Sequence, residues 1–286
     1  MEQKKSKNEY IYRITPTLLK TLKEIAVRID FFKRTHITSL ALYNMEKRAV
    51  TLSAHTSTCI EGNPLPLTEV KKIIKTRPQK IKQTEREVLN YNDTLLWLNS
   101  LIKKKGLRFT EKLILDIHRK LMTGLLPKSK AGRIRNEPVF VNDPIKRKTI
   151  YWPPDHQDVK PQLSHLLEFV EKYKNQIDPI LLAGIFHKEF VIIHPFIDGN
   201  GRTVRLATKT LLAILGFDLF HLFSFENYYN NNVSKYFSSV GVFGNYYDIK
   251  NSTDFTIWLE YFSQGVLDEL LRIKGQVQSG FNTSPG

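Results

Sequence analysis

The strongest constraint on the fold of this chain is an apolar segment long enough to form a helix. It runs from Ile180 to Ile193 and delivers His194 to a proline. A glycine-bracketed asparagine, Gly199-Asn200-Gly201, then opens a second helix that carries Arg202 and Arg205 one turn apart. The sequence therefore predicts a histidine and two arginines around the start of one helix.

Most of the remaining sequence has the three-and-four spacing of apolar residues that is typical of amphipathic helices. Predicted helices cover residues 16–34, 39–60, 67–75, 84–101, 110–122, 159–173, 179–193, 202–215, 228–240 and 254–273. A capping box of Thr84 and Glu87 is expected to open the fourth of them. The polar tail, residues 276–286, is expected to fray. The sequence thus predicts a mainly α fold.

One segment breaks the helical pattern. Val139-Phe140-Val141 and Thr149-Ile150-Tyr151-Trp152 are β-prone runs on either side of the turn residues Asn142-Asp143-Pro144. This pattern predicts a β-hairpin within the helical protein. Because the chain has no internal repeat and no evident linker, a single helical domain is the economical organisation.

Composition excludes several classes of protein. The sequence has 286 residues, no apolar run near the length of a membrane span and a polar N-terminus, which argues against a secretory signal. One cysteine, Cys59, cannot form an internal disulfide, so a cytoplasmic location is expected. The net charge of +15 is spread over dispersed clusters without a nucleic-acid-binding motif. We therefore expect no membrane partner and consider nucleic acid an unlikely one.

The run from His194 to Arg205 has the chemistry of a phosphate site beside a base. Glycines 199 and 201 let a phosphate approach the free N–H groups of a helix start, and the Asn200 amide adds a donor. Arg202 and Arg205 lie on one helix face, where both can reach further along a polyphosphate. Asp198 is a candidate magnesium ligand, and His194 is the natural general base.

At every specified position this run resembles the signature of the Fic family, HxFx[D/E]GNGRxxR. The resemblance implies a helical bundle that transfers AMP from ATP to a Ser, Thr or Tyr hydroxyl of a target protein, with release of pyrophosphate. It implies that His194 deprotonates the hydroxyl and that Asp198 holds Mg2+. It further implies that Gly199-Asn200-Gly201 cradle the α- and β-phosphates, while Arg202 and Arg205 bind the β- and γ-phosphates.

A second stretch resembles the Fic inhibitory motif, [S/T]xxxE[G/N]. Ser57, Glu61 and Gly62 occupy its specified positions at the end of the second predicted helix. A carboxylate there could pair with Arg205 and occupy the place that the γ-phosphate needs. ATP would then bind with its α-phosphorus misaligned, and a displacement of about 1 Å can cost a hundredfold in rate. The position of the motif, before the core, implies the subclass with an N-terminal inhibitory helix.

The resemblance also assigns the hairpin and the adenine pocket. The hairpin resembles the Fic flap, which registers a target segment by strand addition, here with Val139, Phe140, Val141, Ile150 and Tyr151. Tyr236 and Phe237 fall where related proteins place aromatic residues near the adenine. The expected domains are an N-terminal helical extension (1–36), a Fic domain (37–275) and a flexible tail (276–286). The Fic domain would include the inhibitory helix (about 39–61), the flap (about 136–154) and the active-site loop (194–205).

Several alternatives remain open from the sequence. The same site could remove AMP, with Glu61 positioning the attacking water, or use another nucleotide or a phosphocholine donor. From another class, the chain could be a nucleotide-sensing or nucleic-acid-associated regulator with little turnover. Self-modification and homo-oligomerisation are compatible with each enzymatic interpretation.

Overall fold

The computed structural model describes residues 10–104, 106–142, 148–217 and 221–281. In chain order it contains helices α1 (Pro16–Arg34), α2 (Ser39–Ile60), α3 (Leu67–Thr76), α4 (Gln83–Ile102), α5 (Glu111–Leu121), α6 (His156–Tyr173), α7 (Pro179–Ile193), α8 (Asn200–Ile214), α9 (Phe225–Asn231), α10 (Val233–Val240), α11 (Tyr246–Ile249) and α12 (Thr256–Phe281). The strands are β1 (Val141–Asn142), β2 (Thr149–Trp152) and β3 (Gly244–Asn245). The predicted mainly α fold with a small hairpin is confirmed. None of the helices in these ranges is long and apolar enough to cross a membrane.

Helices α7 and α8 form the centre of the bundle. They pack against each other, α7 also packs against α6 and α12, and α8 packs against α2, α4 and α5. Nearly every side chain of both helices is buried, which explains why the α7 sequence is apolar on all faces. The Trp258 indole N–H of α12 donates to the Gly184 carbonyl at 2.7 Å. The loop between α7 and α8 therefore begins and ends in helices whose side chains are almost all buried.

The N-terminal helix belongs to the same packed body. Leu18, Ile25 and Phe32 of α1 are buried, and α1 packs along α12. Before α1, the Tyr10 ring lies edge-on to Phe169 at 4.7 Å between ring centroids. The boundary predicted at residue 36 stays a prediction, but the extension shares its core with the rest of the bundle.

Several predicted helix limits are wrong in detail. Helix α4 begins at Gln83, and its first turn is capped by Glu85, which accepts from the Lys82 N–H at 2.7 Å. The predicted capping pair is engaged differently, because the Asn63 amide donates to the Thr84 carbonyl and to the Glu87 carboxylate. Glu87, which the sequence pattern assigned to the capping box of α4, therefore accepts a hydrogen bond from the distant residue Asn63 instead.

Other differences lie near the C-terminus and at α6. Helix α6 starts at His156, before the predicted 159, and the predicted helix 228–240 is divided into α9 and α10 at Asn232. Helix α12 continues to Phe281 because its apolar face stays buried as far as Val277. Residues 276–281 are thus helical. The flexible tail stays a prediction, and residues 282–286 lie outside the described part.

The hairpin is part of a three-stranded sheet in the order β1-β2-β3. Strands β1 and β2 pair antiparallel, with Val141 opposite Tyr151 and an irregularity before Asn142. Strand β3 pairs with β2 in parallel and was not predicted, because two residues carry no recognisable strand pattern. Of the predicted turn, Asp143 and Pro144 lie outside the described residues.

The close packing of α7 against α12 can be tested with a pair of glycine substitutions. A Cβ at Gly184 would lie 2.6 Å from Leu259 Cδ2 and 3.1 Å from Phe262 Cδ1, whereas a Cβ at Gly275 would meet nothing within 4 Å. We expect Gly184→Ala to lower the free energy of unfolding by about 1–3 kcal/mol, because it overpacks the core. Gly275→Ala is the matched control and should raise stability by up to about 1 kcal/mol through helix propensity. Urea denaturation of both variants checks this, and equal effects would contradict the packing argument.

Candidate active site

His194 ends α7 in the left-handed backbone conformation, with φ 51° and ψ 60°. Its imidazole Nδ1 lies 3.3 Å from the Val191 carbonyl oxygen. Because a carbonyl oxygen can only accept, this contact places the proton on Nδ1 and leaves the Nε2 lone pair free to take a proton. Burial lowers the pKa of His194 to about 4. At neutral pH the imidazole is therefore in its basic form.

The loop after His194 delivers the chain into α8 through a left-handed glycine. Gly199 has φ +78°, and a Cβ there would lie 2.6 Å from Met122 Sδ. The first helical bond of α8 runs from the Thr203 N–H to the Gly199 carbonyl at 2.9 Å. The N–H groups of residues 200–202 precede this bond and lie at the positive end of the helix dipole. This is the local geometry that binds phosphate groups.

The Asn200 side chain shapes this loop from within. It is buried, its Oδ1 accepts from the Phe196 N–H at 2.9 Å, and its Nδ2 donates to the Phe196 carbonyl at 2.7 Å. The sequence predicts this amide as a donor to phosphate. In this structure the amide closes the loop on itself, and its contact with phosphate stays a prediction.

Asp198 is the exposed carboxylate of the loop. Its Oδ1 accepts from the Gly199 N–H at 2.5 Å and from Arg202 Nη2 at 3.3 Å. About half of its side chain is exposed, whereas Arg202 is buried. No cluster of three or more candidate metal ligands occurs in the described ranges. Asp198 is thus a single carboxylate beside the phosphate-binding geometry.

Arg205 is buried one turn further along α8 and is held by the end of α2. Its Nε donates to Ser57 Oγ at 2.8 Å, and its Nη2 donates to the Ser57 carbonyl at 3.0 Å and to Glu61 Oε1 at 2.7 Å. Burial lowers the pKa of Arg205, but the Glu61 carboxylate together with the Tyr236 and Tyr91 hydroxyls outweighs burial and raises it. The structure therefore brings together the two predicted motifs, which are far apart in the chain.

Part of this arginine pair remains without a partner. Within the described part of the chain, Arg205 Nη1 and Arg202 Nε are buried and have no hydrogen-bond acceptor. A Cβ added at Gly201 would lie 3.0 Å from Arg205 Nη1 and would collide with the Glu61 carboxylate. Buried guanidinium N–H groups without acceptors are costly, so this place is suited to an anionic group.

Helix α2 is fixed on both sides of Glu61. The helix ends at Glu61, and Gly62 follows with φ +90°. Asn63 then ties the chain to α4 by its 2.9 Å bond to the Thr84 carbonyl. Two turns before Glu61, Ser53 Oγ donates at 3.0 Å to the buried carboxylate of Glu226. The position of Glu61 is therefore set by the helix as a whole, not by its contact with Arg205 alone.

Two residues that sequence reasoning missed hold the active-site loop. Buried Arg135 donates from its backbone N–H to the Pro195 carbonyl and from Nε to the His194 carbonyl, each at 2.9 Å. His118 accepts from the Gly132 N–H at its Nδ1, at 2.8 Å, which leaves the proton on Nε2 to donate to the Asp198 carbonyl at 3.0 Å.

Only one of these two residues carried a signal in the sequence. His118 lies on the apolar face of α5 with Ile114, Ile117 and Leu121, where a histidine needs polar partners. Its ring stacks on Phe196 at 3.7 Å between ring centroids. Arg135 lies in a charged loop segment, and only the fold distinguishes it from a solvated arginine.

Comparison with known proteins identifies the domain that contains this site. Residues 108–212 match the sequence profile of the Fic/DOC family. The chain contains a Fic/DOC family domain. It is 33% identical over 183 residues to "Protein adenylyltransferase Fic" from Nematostella vectensis, a match that covers 63% of this chain and 41% of that protein. It is 32% identical over 184 residues to "Protein adenylyltransferase fic-1" from Caenorhabditis elegans, covering 63% and 35% respectively. The chain thus spans less than half the length of these relatives.

Solved structures confirm the Fic fold. A Fic family protein from Desulfovibrio desulfuricans G20 superposes with a TM-score of 0.74 at 22% identity, over 93% of this chain and 76% of that chain. A Fic-1 fragment from C. elegans superposes with a TM-score of 0.72 at 24% identity, over 92% and 73%. The likeness covers 92–93% of this chain and therefore extends beyond the segment matched by the family profile.

The Fic hairpin is anchored by one of its predicted docking residues. The Tyr151 hydroxyl is buried and donates to the Ile192 carbonyl at 2.9 Å, two residues before the active-site loop begins at His194. Tyr151 therefore fastens the hairpin to α7, and its predicted contact with a target stays a prediction. Val139, Val141 and Ile150 are half-buried, whereas Phe140 is exposed. Because β1 is an outer strand of the sheet, docking by strand addition stays a prediction for this edge.

The two aromatic residues predicted near the adenine differ in exposure. Tyr236 is buried, its ring stacks on Tyr229 at 4.6 Å between centroids, and its hydroxyl lies 3.2 Å from His187 Nε2. Tyr236 thus belongs to the core in this structure, and its predicted place near the adenine stays a prediction. Phe237 is exposed, and its predicted contact with adenine remains a prediction.

The histidine geometry of the Fic loop predicts a dependence on pH. Burial lowers the pKa of both His118 and His194 to about 4, below the value near 6.5 of an unfolded chain. Between these values the unfolded state binds protons that the folded site excludes, so stability should fall as the pH falls from 6.5 toward 4. Histidine NMR signals, assigned with His118→Gln and His194→Ala, should stay in the neutral form at pH 5.5. Titration midpoints near 6.5 would contradict the buried geometry.

Proposed function

We propose that this chain is a protein adenylyltransferase that transfers AMP from ATP to a Ser, Thr or Tyr hydroxyl of a target protein. The observation that carries the proposal is the buried Arg205 guanidinium with an unpartnered Nη1 beside the N-terminus of α8. The positive helix end, Arg202 and Arg205 together suit the three phosphates of ATP. The relatives from Nematostella vectensis and Caenorhabditis elegans are named protein adenylyltransferases, which supports the same activity.

The transfer step follows from the orientation of His194. Its Nε2 lone pair takes the proton of the target hydroxyl, and the hydroxyl oxygen attacks the α-phosphorus of ATP. The bond between the α-phosphorus and the oxygen that bridges to the β-phosphorus breaks, and pyrophosphate leaves. Arg202 and Arg205 carry the charge that develops on this leaving group. The product is a phosphodiester between AMP and the target side chain.

Asp198 fits the requirements of a magnesium ligand. Mg2+ in nucleotide enzymes is commonly bound by one or two carboxylates together with phosphate oxygens. Asp198 is an exposed carboxylate one residue before the phosphate-binding turn, and Arg202 contacts only its Oδ1 in the described part of the chain. When bound, the ion would supply positive charge between the phosphates. This assignment rests on the donor chemistry of Asp198.

We further propose that the protein rests in an autoinhibited state. Glu61 Oε1 contacts Arg205 Nη2 at 2.7 Å, and the carboxylate lies in the space that the missing Cβ of Gly201 leaves open. A γ-phosphate bound to Arg205 would have to displace this carboxylate. ATP would otherwise bind with its α-phosphorus out of line for attack.

Three further expectations stay predictions of the sequence: a cytoplasmic location, a homo-oligomer and self-modification.

Removal of the inhibitory carboxylate tests the autoinhibited state. We expect Glu61→Gly to raise AMP transfer at least tenfold, and up to about a hundredfold, because Arg205 becomes free to align the γ-phosphate. Mass spectrometry of the protein and of added peptides, after incubation with ATP and Mg2+, measures the transferred AMP. Cys59→Gly, in the last turn of the same helix, is the control for mere loosening of α2. Equal activation by both variants would show that charge is not the cause.

The base and the arginine are tested in the activated background. His194→Ala combined with Glu61→Gly should abolish transfer and leave ATP binding nearly unchanged, because the imidazole contributes a proton acceptor and not a phosphate contact. Arg205→Ala in the same background should weaken ATP binding as well. Calorimetric titration with ATP separates the two effects. Undiminished transfer by the His194→Ala variant would mean that another group is the base.

A further inference from the structure

A basic cavity lies next to the active-site loop and has no part in the proposed chemistry. It has a volume of about 630 Å³ and lies between α5, the loop 128–136 and the start of α6. Arg119, Lys128, Arg133 and Lys160 line it, and we call it the basic pocket. Ile197 of the active-site loop forms another part of its wall. The basic pocket therefore opens beside the place where a target side chain must reach His194.

The charge of the basic pocket is mostly uncompensated. Arg119 is paired with Asp116, but Lys128, Arg133 and Lys160 make no ion pair within the described ranges. All three are exposed, and Glu111 is the one carboxylate among the lining residues. Like charges that converge in a concave surface raise the local positive potential and attract anionic groups. The ligand of this pocket should therefore carry several negative charges.

The basic pocket is connected to the catalytic loop by hydrogen bonds. Gly132 in its wall donates to His118, and His118 in turn donates to the Asp198 carbonyl. Arg135, another lining residue, donates from Nε to the His194 carbonyl at 2.9 Å. The same loop thus forms the wall of the pocket and fixes the catalytic histidine. A chain segment held in the pocket would have a defined position relative to His194.

We infer that the basic pocket binds an acidic segment of the target protein next to the hydroxyl that receives AMP. This inference rests on the proposed adenylyltransferase function and specifies its substrate. Carboxylates of the target would pair with Lys128, Arg133 and Lys160. These contacts give orientation and a faster encounter more than large affinity, because exposed ion pairs are individually weak.

The dimensions favour a short spacing between the acidic residue and the hydroxyl. Ile197 is three residues beyond His194, so their Cα atoms are at most about 11 Å apart. An extended target segment covers the same distance in about three residues. We therefore expect acidic side chains within about three residues of the modified side chain.

The lining favours a protein segment over a nucleic acid. Single-stranded nucleic acids usually bind grooves that combine positive charge with aromatic side chains on which bases stack. Among the described residues, the lining of the basic pocket includes no aromatic side chain, and its apolar part consists of Leu115, Ala131, Ile134 and Ile197. Carboxylates on a flexible chain need charge and space but no stacking surface.

Peptide substrates test this inference in the Glu61→Gly background. The probes are peptides with a central Thr, Ser or Tyr, flanked at one to three residues by either Glu or Gln, supplied with ATP and Mg2+. We expect a kcat/KM for AMP transfer about tenfold higher for the Glu peptides. The charge-reversed variant Lys128→Glu, Arg133→Glu and Lys160→Glu should lose this preference through KM, with kcat unchanged. The control variant reverses the same number of charges on α1 (Lys20→Glu, Lys23→Glu and Lys33→Glu). It should retain the preference for Glu peptides.

The results of these assays distinguish a failure of the acidic-segment inference from a failure of the proposed adenylyltransferase function. Equal transfer to Glu and Gln peptides would overturn the inference and leave the adenylyltransferase intact. Absence of transfer to any peptide, with ATP still bound, would count against the proposed function. In that case the fluorescence anisotropy of a labelled Glu-rich peptide decides the pocket: a Kd raised about tenfold in the charge-reversed variant supports the inference, and an unchanged Kd overturns it. Equally tight binding of a random oligonucleotide of the same charge, lost in the same variant, would also overturn it.

Discussion

The contact between Arg205 and the end of α2 is the interaction on which the organisation of the site depends. A guanidinium buried in the centre of a bundle must be paired, because an unpaired buried charge is costly. Ser57 and Glu61 supply acceptors for Nε and Nη2, while Nη1 keeps none in the described part of the chain. Under the proposed autoinhibition, Arg205 is thus stabilised in the resting protein and keeps an N–H group available to an anion. A group that competes with Glu61 for Arg205 changes both the charge and the free space next to Gly201.

The central pair of helices turns this contact into a catalytic arrangement. Helix α7 is enclosed by its neighbours, so its C-terminal residue His194 has a fixed position, and Asn200 closes the loop that follows. Three groups from outside the loop then hold its backbone. His118 bonds the Asp198 carbonyl, Arg135 bonds the carbonyls of His194 and Pro195, and Tyr151 bonds Ile192. Because these supports come from α5, its following loop and the sheet, the geometry around His194 is set before any ligand binds.

Local patterns in the sequence predicted a large part of this protein. The limits of α1, α2 and α7 were predicted correctly because apolar periodicity and capping residues agree there. Local rules failed where a distant residue competes for the same group: Glu87 bonds Asn63 and leaves the cap of α4 to Glu85. They also failed at β3, since two residues pair with β2 only through the fold. The phosphate site in residues 194–205 stays a prediction of the local pattern, and only the fold showed that the Asn200 amide bonds its own loop and that the Tyr236 ring is buried.

The sequence by itself determined the chemical groups of the site and their local order. A histidine before a Gly-Asn-Gly turn, followed by two arginines one helical turn apart, depends only on short-range geometry. The tertiary structure alone decided which groups meet. It brought Glu61 to Arg205, placed Arg135 and His118 behind the loop and gathered Lys128, Arg133 and Lys160 beside it. The physical reason is that hydrogen bonds and charge pairs act over a few ångströms in space. Residues far apart along the chain can form them only after the bundle has packed.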